Sequence, residues 1–233
     1  MRVDKRKAYY VVLDTETCPI DKDFNGVSAE NMFTYDIGFA VCDKRGNIYE
    51  EYSFIVKEIF FDEQELMKSA YYSAKVPKYL EDIKAGTRKV ASFYEIRKCL
   101  AEVMAKYNTN IVIAYNARFD DVTLKQTQRW LTKSKYRYFL PYGSVVWDSL
   151  KMVRDVVANT PTYKRFCEVN GYMTKHKTPI PQVKAETVYR YITQDTDFVE
   201  SHTGLEDVKI ETAIFAYCVA KHKKMRKELY ATA

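Results

Sequence analysis

The segment from Ala8 to Thr17 constrains this chain more than any other. Its apolar and β-branched residues up to Leu13 predict a buried strand, and that strand ends directly in two acids, Asp14 and Glu16. Side chains two residues apart on a strand point to the same face, so we expect both carboxylates to converge at its C-terminal end. Two ionised carboxylates held together repel each other, and a divalent cation relieves that repulsion. The alternative interpretation is a strand that runs into a polar loop with both acids solvated.

Two later segments place further acids at the ends of predicted elements. The apolar run 110–115 predicts a second strand, followed by Asn116 and then by Asp120 in the first turn of a helix. His202 lies just before the last long helix, and Asp207 lies in its first turns. Taken singly, each aspartate could be an acid near a helix N-terminus, and His202 could be a surface histidine. The occurrence of all three patterns in one chain favours a common site.

In this order the patterns resemble the three motifs of the DEDDh 3′–5′ exonucleases, a family of the ribonuclease H-like superfamily. Its members include the proofreading subunit of bacterial DNA polymerase III, ribonuclease T and many phage exonucleases. The motifs lie here at 14–17, 116–120 and 202–207, and the resemblance covers most of the chain. It implies an α/β, ribonuclease H-like fold with a mixed five-stranded sheet flanked by helices.

The resemblance also implies a two-metal mechanism with Mg²⁺ or Mn²⁺. Asp14 would bridge both ions. Glu16 and Asp207 would complete the first metal site, and Asp120 would hold the second ion. His202 would accept the proton of the attacking water, a role that suits a side chain with an ordinary pKa near neutrality.

Substrate contacts are implied for three more residues. Thr15 and Thr17 would line the pocket of the terminal nucleotide, together with the acid between them, and Asn116 would reach the penultimate nucleotide. Two positions depart from the family pattern. Cys18-Pro19 stands where a glycine commonly follows the first motif, and Gly204 replaces the usual alanine of the third.

Composition is that of an ordinary soluble globular protein, with 47% apolar and 29% charged residues. The length of 233 residues predicts a single domain over 1–233. The formal charge of +6 and the pI of about 8.8 favour a polyanionic partner. The sequence has no glycine-rich nucleotide-binding motif.

The cysteines and the apolar runs indicate a compartment. Five cysteines without Cys-x-x-Cys spacing argue against both a disulfide framework and a zinc site, and for a reducing environment. The apolar run before Asp14 is too short for a signal peptide, and no apolar run approaches the roughly 18 residues of a membrane span. We therefore expect a cytoplasmic protein without membrane contact, in a bacterium or a phage-infected host.

Hydrophobic periodicity and turn residues predict the elements. The predicted strands are 8–14, 36–42, 47–56, 110–115 and 144–147, with a hairpin turn at 43–47. The predicted helices are 92–107, a helix from about 118, 149–158, 182–193 and 203–227, the first with a capping box of Ser92 and Glu95. The segment 73–91, with Pro77, Gly86 and five basic residues, is expected to be a mobile, exposed loop.

Several other residues have open interpretations. Tyr136, Tyr138 and Tyr142 alternate with basic side chains, which suits either a track for single-stranded nucleic acid or a polar edge. Glu211 shares the helical face of Asp207, so it lies near the metal site or pairs with a lysine. Two histidines, His176 and His222, are expected on the surface. The basic run 221–227 is expected there too, as a solvated helix end.

We therefore predict a metal-dependent exonuclease that hydrolyses single-stranded 3′ ends to nucleoside 5′-monophosphates, with DNA favoured over RNA. A DNA polymerase or another replication protein is a candidate partner. One alternative is an exoribonuclease of the same fold. The other is a catalytically idle nucleic-acid-binding or polymerase-docking module, against which the presence of all five expected site residues argues.

Overall fold

A mixed sheet of seven strands forms the centre of the described structure. The structure, a computed structural model, describes residues 3–21, 23, 28–133 and 138–231. The strands are Tyr9–Pro19 (β1), Met32–Asp43 (β2), Ile48–Val56 (β3), Lys89–Ala91 (β4), Ile111–Ala114 (β5), Val145–Asp148 (β6) and Glu228–Ala231 (β7). Their order across the sheet is β4-β3-β2-β1-β5-β6-β7. The strand β1 is antiparallel to β2 and parallel to β5, so it lies at the middle of the sheet.

Helices cover both faces of this sheet. They are Lys57–Phe60 (α1), Gln64–Lys68 (α2), Val76–Ala85 (α3), Phe93–Lys106 (α4), Arg118–Thr132 (α5), Ser149–Val156 (α6), Pro161–Val169 (α7), Ala185–Thr193 (α8) and Gly204–Ala220 (α9). Two 3₁₀ turns lie at Ala29–Asn31 and Ser73–Lys75. One apolar core joins the sheet to α1–α5, and a second joins its other face to α6–α9.

The alternation of β1 decides which side chains meet which layer. Val11 and Leu13 belong to the core shared with α1–α5, whereas Val12 belongs to the core shared with α9. Side chains alternate along a strand, so Asp14 and Glu16 continue on the α9 face. The fold therefore directs both acids of β1 toward the last long helix.

The predicted ribonuclease H-like fold is confirmed, with five predicted strands present as β1, β2, β3, β5 and β6. The sheet is wider than predicted, because the short edge strands β4 and β7 extend it to seven. The strands β4 and β7 each begin with a charged residue and lack the apolar run that identifies the equally short β5 and β6 in the sequence. The predicted hairpin turn and the capping box of α4 are also present.

The predicted continuation of the last helix to residue 227 is wrong. The helix α9 ends at Ala220, and the basic run after it leads into β7 on the edge of β6. Arg226 pairs with Asp155 at 2.7 Å, and the Lys227 ammonium lies 4.1 Å from the centre of the Trp147 ring. The run is therefore largely exposed, as predicted, but it is not a helix end, and two of its charges have partners on α6 and β6.

The prediction of a mobile loop at 73–91 is also wrong. This segment contains a 3₁₀ turn, the helix α3 and the strand β4. Pro77 is compatible with the first turn of α3, and Gly86 ends that helix in the left-handed region with φ of 75°. Arg88 is buried and forms ion pairs with Asp36 and Glu206. A basic side chain that looks exposed in the sequence is thus an internal ion-pair partner.

Two glycines let α9 lie directly against the sheet. Gly38 of β2 is the register partner of Asp14, and it faces Gly204, the first residue of α9. A Cβ on Gly38 would lie 2.2 Å from the carbonyl carbon of Gly204, and a Cβ on Gly204 would lie 2.7 Å from the Gly38 nitrogen. The glycine at 204, a departure from the family pattern, therefore has a packing reason.

In the part of the chain that the structure describes, no helix combines the length and the apolarity needed to cross a membrane.

We expect Gly38→Ala to lower the free energy of unfolding by about 3 kcal/mol or more, because its new methyl group would collide with backbone atoms that cannot rotate away. Gly86→Ala is the matched control, since a Cβ there meets nothing within 4 Å and only the positive φ costs about 1–2 kcal/mol. Urea unfolding of both variants measures the difference. Equal losses would show that the close contact of Gly38 and Gly204 is not tight.

Candidate active site

Three carboxylates meet at the C-terminal end of β1. Asp14 and Glu16 come from the strand, and Asp207 comes from the first turn of α9. One oxygen of each lies within 4.8 Å of the others. Glu16 and Asp207 are buried, and Asp14 is half-buried. The structure therefore brings together three of the predicted site residues.

Asp120 approaches from the opposite layer. It lies in the first turn of α5 and is buried. The backbone N–H and the hydroxyl of Thr15 both donate to its Oδ1, at 3.1 and 2.8 Å. Asp120 lies outside the three-carboxylate cluster, but its charge contributes to raising the pKa of Asp14. The buried Thr15 thus orients an acid of the site, a contact that the sequence did not predict.

His202 lies beside the cluster on the loop before α9. An atom of its ring, an oxygen of Glu200 and an oxygen of Asp207 all lie within 4.8 Å of one another. The backbone of His202 is in the left-handed region, with φ of 49°. Asp207 belongs to both groups of side chains, so it connects the histidine to the three carboxylates.

The segment at 72–75 holds the His202 loop in place. The Tyr72 ring stacks on the His202 ring with 4.7 Å between centroids and 15° between planes. The ammonium of Lys75 lies 4.1 Å from the centre of the Tyr72 ring and donates to the carbonyl oxygens of Ser201 and His202. These contacts fix both the ring and the backbone of a histidine in an unusual conformation.

Burial and mutual repulsion dominate the electrostatics of the site. Burial raises the pKa of Asp14, Glu16 and Asp207 well above the ordinary carboxylate range, and neighbouring negative charges raise it further. Burial and the positive charge of Lys75 lower the pKa of His202. The site therefore has a deficit of positive charge that a cation can fill.

One oxygen of Asp207 shows that deficit directly. Its Oδ1 is buried, and no described residue donates a hydrogen bond to it. Buried carboxylate oxygens are normally satisfied by a donor or a cation. The oxygen-rich donor set suits Mg²⁺ or Mn²⁺.

Glu211 is an additional acid of the site. It lies one helical turn after Asp207, is buried, and accepts the backbone N–H of Tyr115 at 3.2 Å. After burial, its charge is the largest contribution to the raised pKa of Asp14. The described residues include no ion pair between Glu211 and a lysine. Of the two alternatives for Glu211, the structure therefore shows the position near the acids and not the pair with a lysine.

The remaining predicted residues lie around this centre. Thr17 is half-buried, and Asn116 is exposed and donates its backbone N–H to Asp148 at 3.0 Å. His176 and His222 are exposed, as predicted. Tyr138 and Tyr142 are also exposed, whereas the other residues of that basic and aromatic segment, 134–137, lie outside the described residues.

The sequence analysis did not select Glu200, Tyr72 or Lys75, although Glu200 lies only two residues before His202.

Comparison with known proteins identifies the fold. No family model matches the chain, and no curated protein matches its sequence. E. coli exonuclease I in complex with a 5cy-dT13 oligonucleotide aligns with a TM-score of 0.52 and 15% identity, over 93% of this chain and 41% of that chain. A complex of ExoI with SSB-Ct gives 0.53 and 15%, over 89% and 40%. The zinc ion bound form of the E. coli ExoI–ssDNA complex gives 0.51 and 14%, over 94% and 41%.

At identities of 14–15%, these structural alignments show a shared fold. The chain spans about two-fifths of the length of the exonuclease chains that it matches.

We expect Asp14→Asn to raise the melting temperature of the metal-free protein by a few degrees, because it removes one of several repelling charges. We also expect Mg²⁺ to raise the melting temperature of the parent more than that of this variant. Asp62→Asn, which changes an exposed acid outside the cluster, is the control. Calorimetry with EDTA and with Mg²⁺ measures both effects. A melting temperature and a Mg²⁺ response identical to those of the parent would contradict a repulsive cation site.

Proposed function

We propose that this protein is a metal-dependent 3′–5′ exonuclease of the DEDDh type that acts on single-stranded DNA. The observation that carries the proposal is the meeting of Asp14, Glu16 and Asp207 within 4.8 Å, with His202 beside Asp207. These side chains come from separate elements, and they occupy the motif positions of the resemblance. A module that only binds nucleic acid has no use for a buried acidic cluster facing phosphates.

The residues present fit the implied metal ions. Asp14, Glu16 and Asp207 would hold one ion, and Asp14 with Asp120 would hold the other. Two bound divalent ions would acidify the attacking water and stabilise charge on the attacking and leaving oxygens of the phosphodiester. The unsatisfied Oδ1 of Asp207 supports this assignment.

His202 has the properties of a general base. Its lowered pKa leaves the imidazole neutral at neutral pH, so a ring nitrogen is able to accept a proton. The ring is only partly buried, and its stack on Tyr72 limits its orientation. A water molecule between His202 and the acidic cluster would lose its proton to the imidazole while it attacks the phosphorus.

Aromatic side chains next to the site support a single-stranded substrate. Tyr71 is 79% exposed and makes an edge-to-face contact with Tyr72, which in turn stacks on His202. Exposed aromatic rings stack on the unpaired bases of single strands. The formal charge of +6 adds attraction for the phosphate backbone. Both features leave DNA and RNA open, and the resemblance to proofreading exonucleases favours DNA.

The proposal is tested with a 5′-labelled single-stranded oligonucleotide, as DNA and as RNA of equal length. With Mg²⁺ or Mn²⁺ we expect a descending ladder of DNA products and release of nucleoside 5′-monophosphates. EDTA and Asp120→Ala should each abolish the reaction, because a metal ligand or the metal itself is lost. Undiminished turnover in EDTA would contradict the metal mechanism. Immediate release of the label, or nicking of circular single strands, would contradict the 3′–5′ polarity or the exonuclease assignment. Stronger RNA cleavage would reassign the substrate.

We expect His202→Ala to lower turnover by about 10²–10⁴-fold while the reaction still requires Mg²⁺, as is usual for loss of a general base. His176→Ala is the matched control and should be close to neutral, because His176 is exposed on a loop and belongs to neither group of side chains around Asp207. Steady-state rates over a range of Mg²⁺ concentrations separate the two roles of a histidine. A higher Mg²⁺ requirement with unchanged saturated turnover would mean that His202 supports metal binding instead.

A further inference from the structure

The second group of side chains around Asp207 differs chemically from the first. Glu200, His202 and Asp207 each offer an atom within 4.8 Å of the others. This group contains an imidazole nitrogen, whereas the group of Asp14, Glu16 and Asp207 contains only carboxylate oxygens. Imidazole nitrogen combined with carboxylate oxygen suits Zn²⁺, while all-oxygen sites suit Mg²⁺.

The separation of the ligand atoms fits a metal ion better than a hydrogen bond. The Nδ1 of His202 lies 3.6 Å from Oε2 of Glu200, which is beyond the range of a normal hydrogen bond. Two ligand atoms about 2.1 Å from one tetrahedral ion lie about 3.4 Å apart. The two side chains are therefore already spaced for a shared ion.

The other contacts leave the ligand atoms available. The Oδ1 of Asp207 is buried and receives no hydrogen bond from a described residue. The charge of Lys75 acts on Glu200, His202 and Asp207, and its two hydrogen bonds go to the carbonyls of Ser201 and His202. The stack of Tyr72 on His202 holds the imidazole in this position. Lys75 thus lowers the negative potential of the group, while its hydrogen bonds go to backbone carbonyls and not to the carboxylates of Glu200 and Asp207.

We propose that Glu200, His202 and Asp207 form a Zn²⁺ site whose occupation inhibits the enzyme. Three protein ligands would leave one tetrahedral position for water, as in other three-ligand zinc sites. The cysteine pattern argued against zinc, but this site needs no cysteine. The inhibitory effect rests on the proposed function. Coordination to zinc would occupy the lone pair of the His202 imidazole that otherwise accepts a proton.

Asp207 belongs to both groups of side chains, and this sharing strengthens the inhibition by zinc. The same carboxylate belongs to the all-oxygen cluster, so a zinc ion on the His202 side draws on a ligand that the Mg²⁺ site also uses. Zinc would therefore both remove the base and weaken the binding of the activating ion.

The binding test uses Zn²⁺ alone with the full chain and a chromogenic chelator as competitor. We expect Glu200→Gln and His202→Ala each to weaken Zn²⁺ binding by at least about tenfold. Asp14→Asn should change it by less than about threefold, because Asp14 belongs only to the all-oxygen cluster. His176→Ala is the control for a surface histidine. Thermal melting of each variant shows that it is folded.

Two outcomes would overturn the proposal. One is the absence of stoichiometric Zn²⁺ binding by the parent chain. The other is Zn²⁺ binding that Asp14→Asn removes and Glu200→Gln leaves intact, which would place the ion in the all-oxygen cluster.

The regulatory test measures Mg²⁺-supported hydrolysis during a Zn²⁺ titration. We expect Zn²⁺ to inhibit the parent, and Glu200→Gln to need at least about tenfold more Zn²⁺ for half inhibition, relative to its own rate without zinc. Equal inhibition of the two proteins would contradict a regulatory role. If the parent shows no hydrolysis with Mg²⁺, the proposed nuclease function fails, while the chelator result still decides whether the zinc site exists.

Discussion

The contact between Gly38 and Gly204 is the constraint on which the site depends. It allows the first turn of α9 to lie against β2 directly opposite Asp14. A buried carboxylate fixes this contact. Asp36 accepts the Gly204 N–H at 3.0 Å, and it also accepts hydrogen bonds from Tyr79 and Arg88, each at 2.9 Å. The helix N-terminus is thereby held by a charge of the sign that its dipole favours. Asp207, one turn further on, can then meet the acids of β1.

The acidic side chains stay together because backbone and hydroxyl donors hold them individually. Thr15 donates twice to Asp120, and the Tyr115 N–H donates to Glu211. Each bond fixes an acid whose neighbours repel it, and charge-assisted bonds of this kind are stronger than neutral ones. The packing of the two cores supplies the rest of the stabilisation. The acids are therefore held in place without a cation, and their remaining repulsion would become binding energy for an ion in the proposed site.

The sequence predicted those parts of the molecule that local patterns determine. The strands β1 and β5 and the acids at their ends follow from apolar runs that stop at polar residues, and α4 follows from its capping box. The segment 73–91 was misread because Arg88 is buried only through partners at Asp36 and Glu206, which are distant in sequence. Lys75 likewise reaches the His202 loop across more than a hundred residues. No periodicity or turn signal reports such tertiary partners.

The Thr15–Asp120 hydrogen bonds carry a consequence for how the site is assembled. Asp120 belongs to α5 on one face of the sheet, and Asp207 belongs to α9 on the other. Both reach the end of β1, so the site exists only while both helical layers are docked. Local opening of either layer would separate the acids before the chain unfolds globally. A partly folded chain, during synthesis or under stress, would therefore lack the complete set of acids that the proposed nuclease function requires.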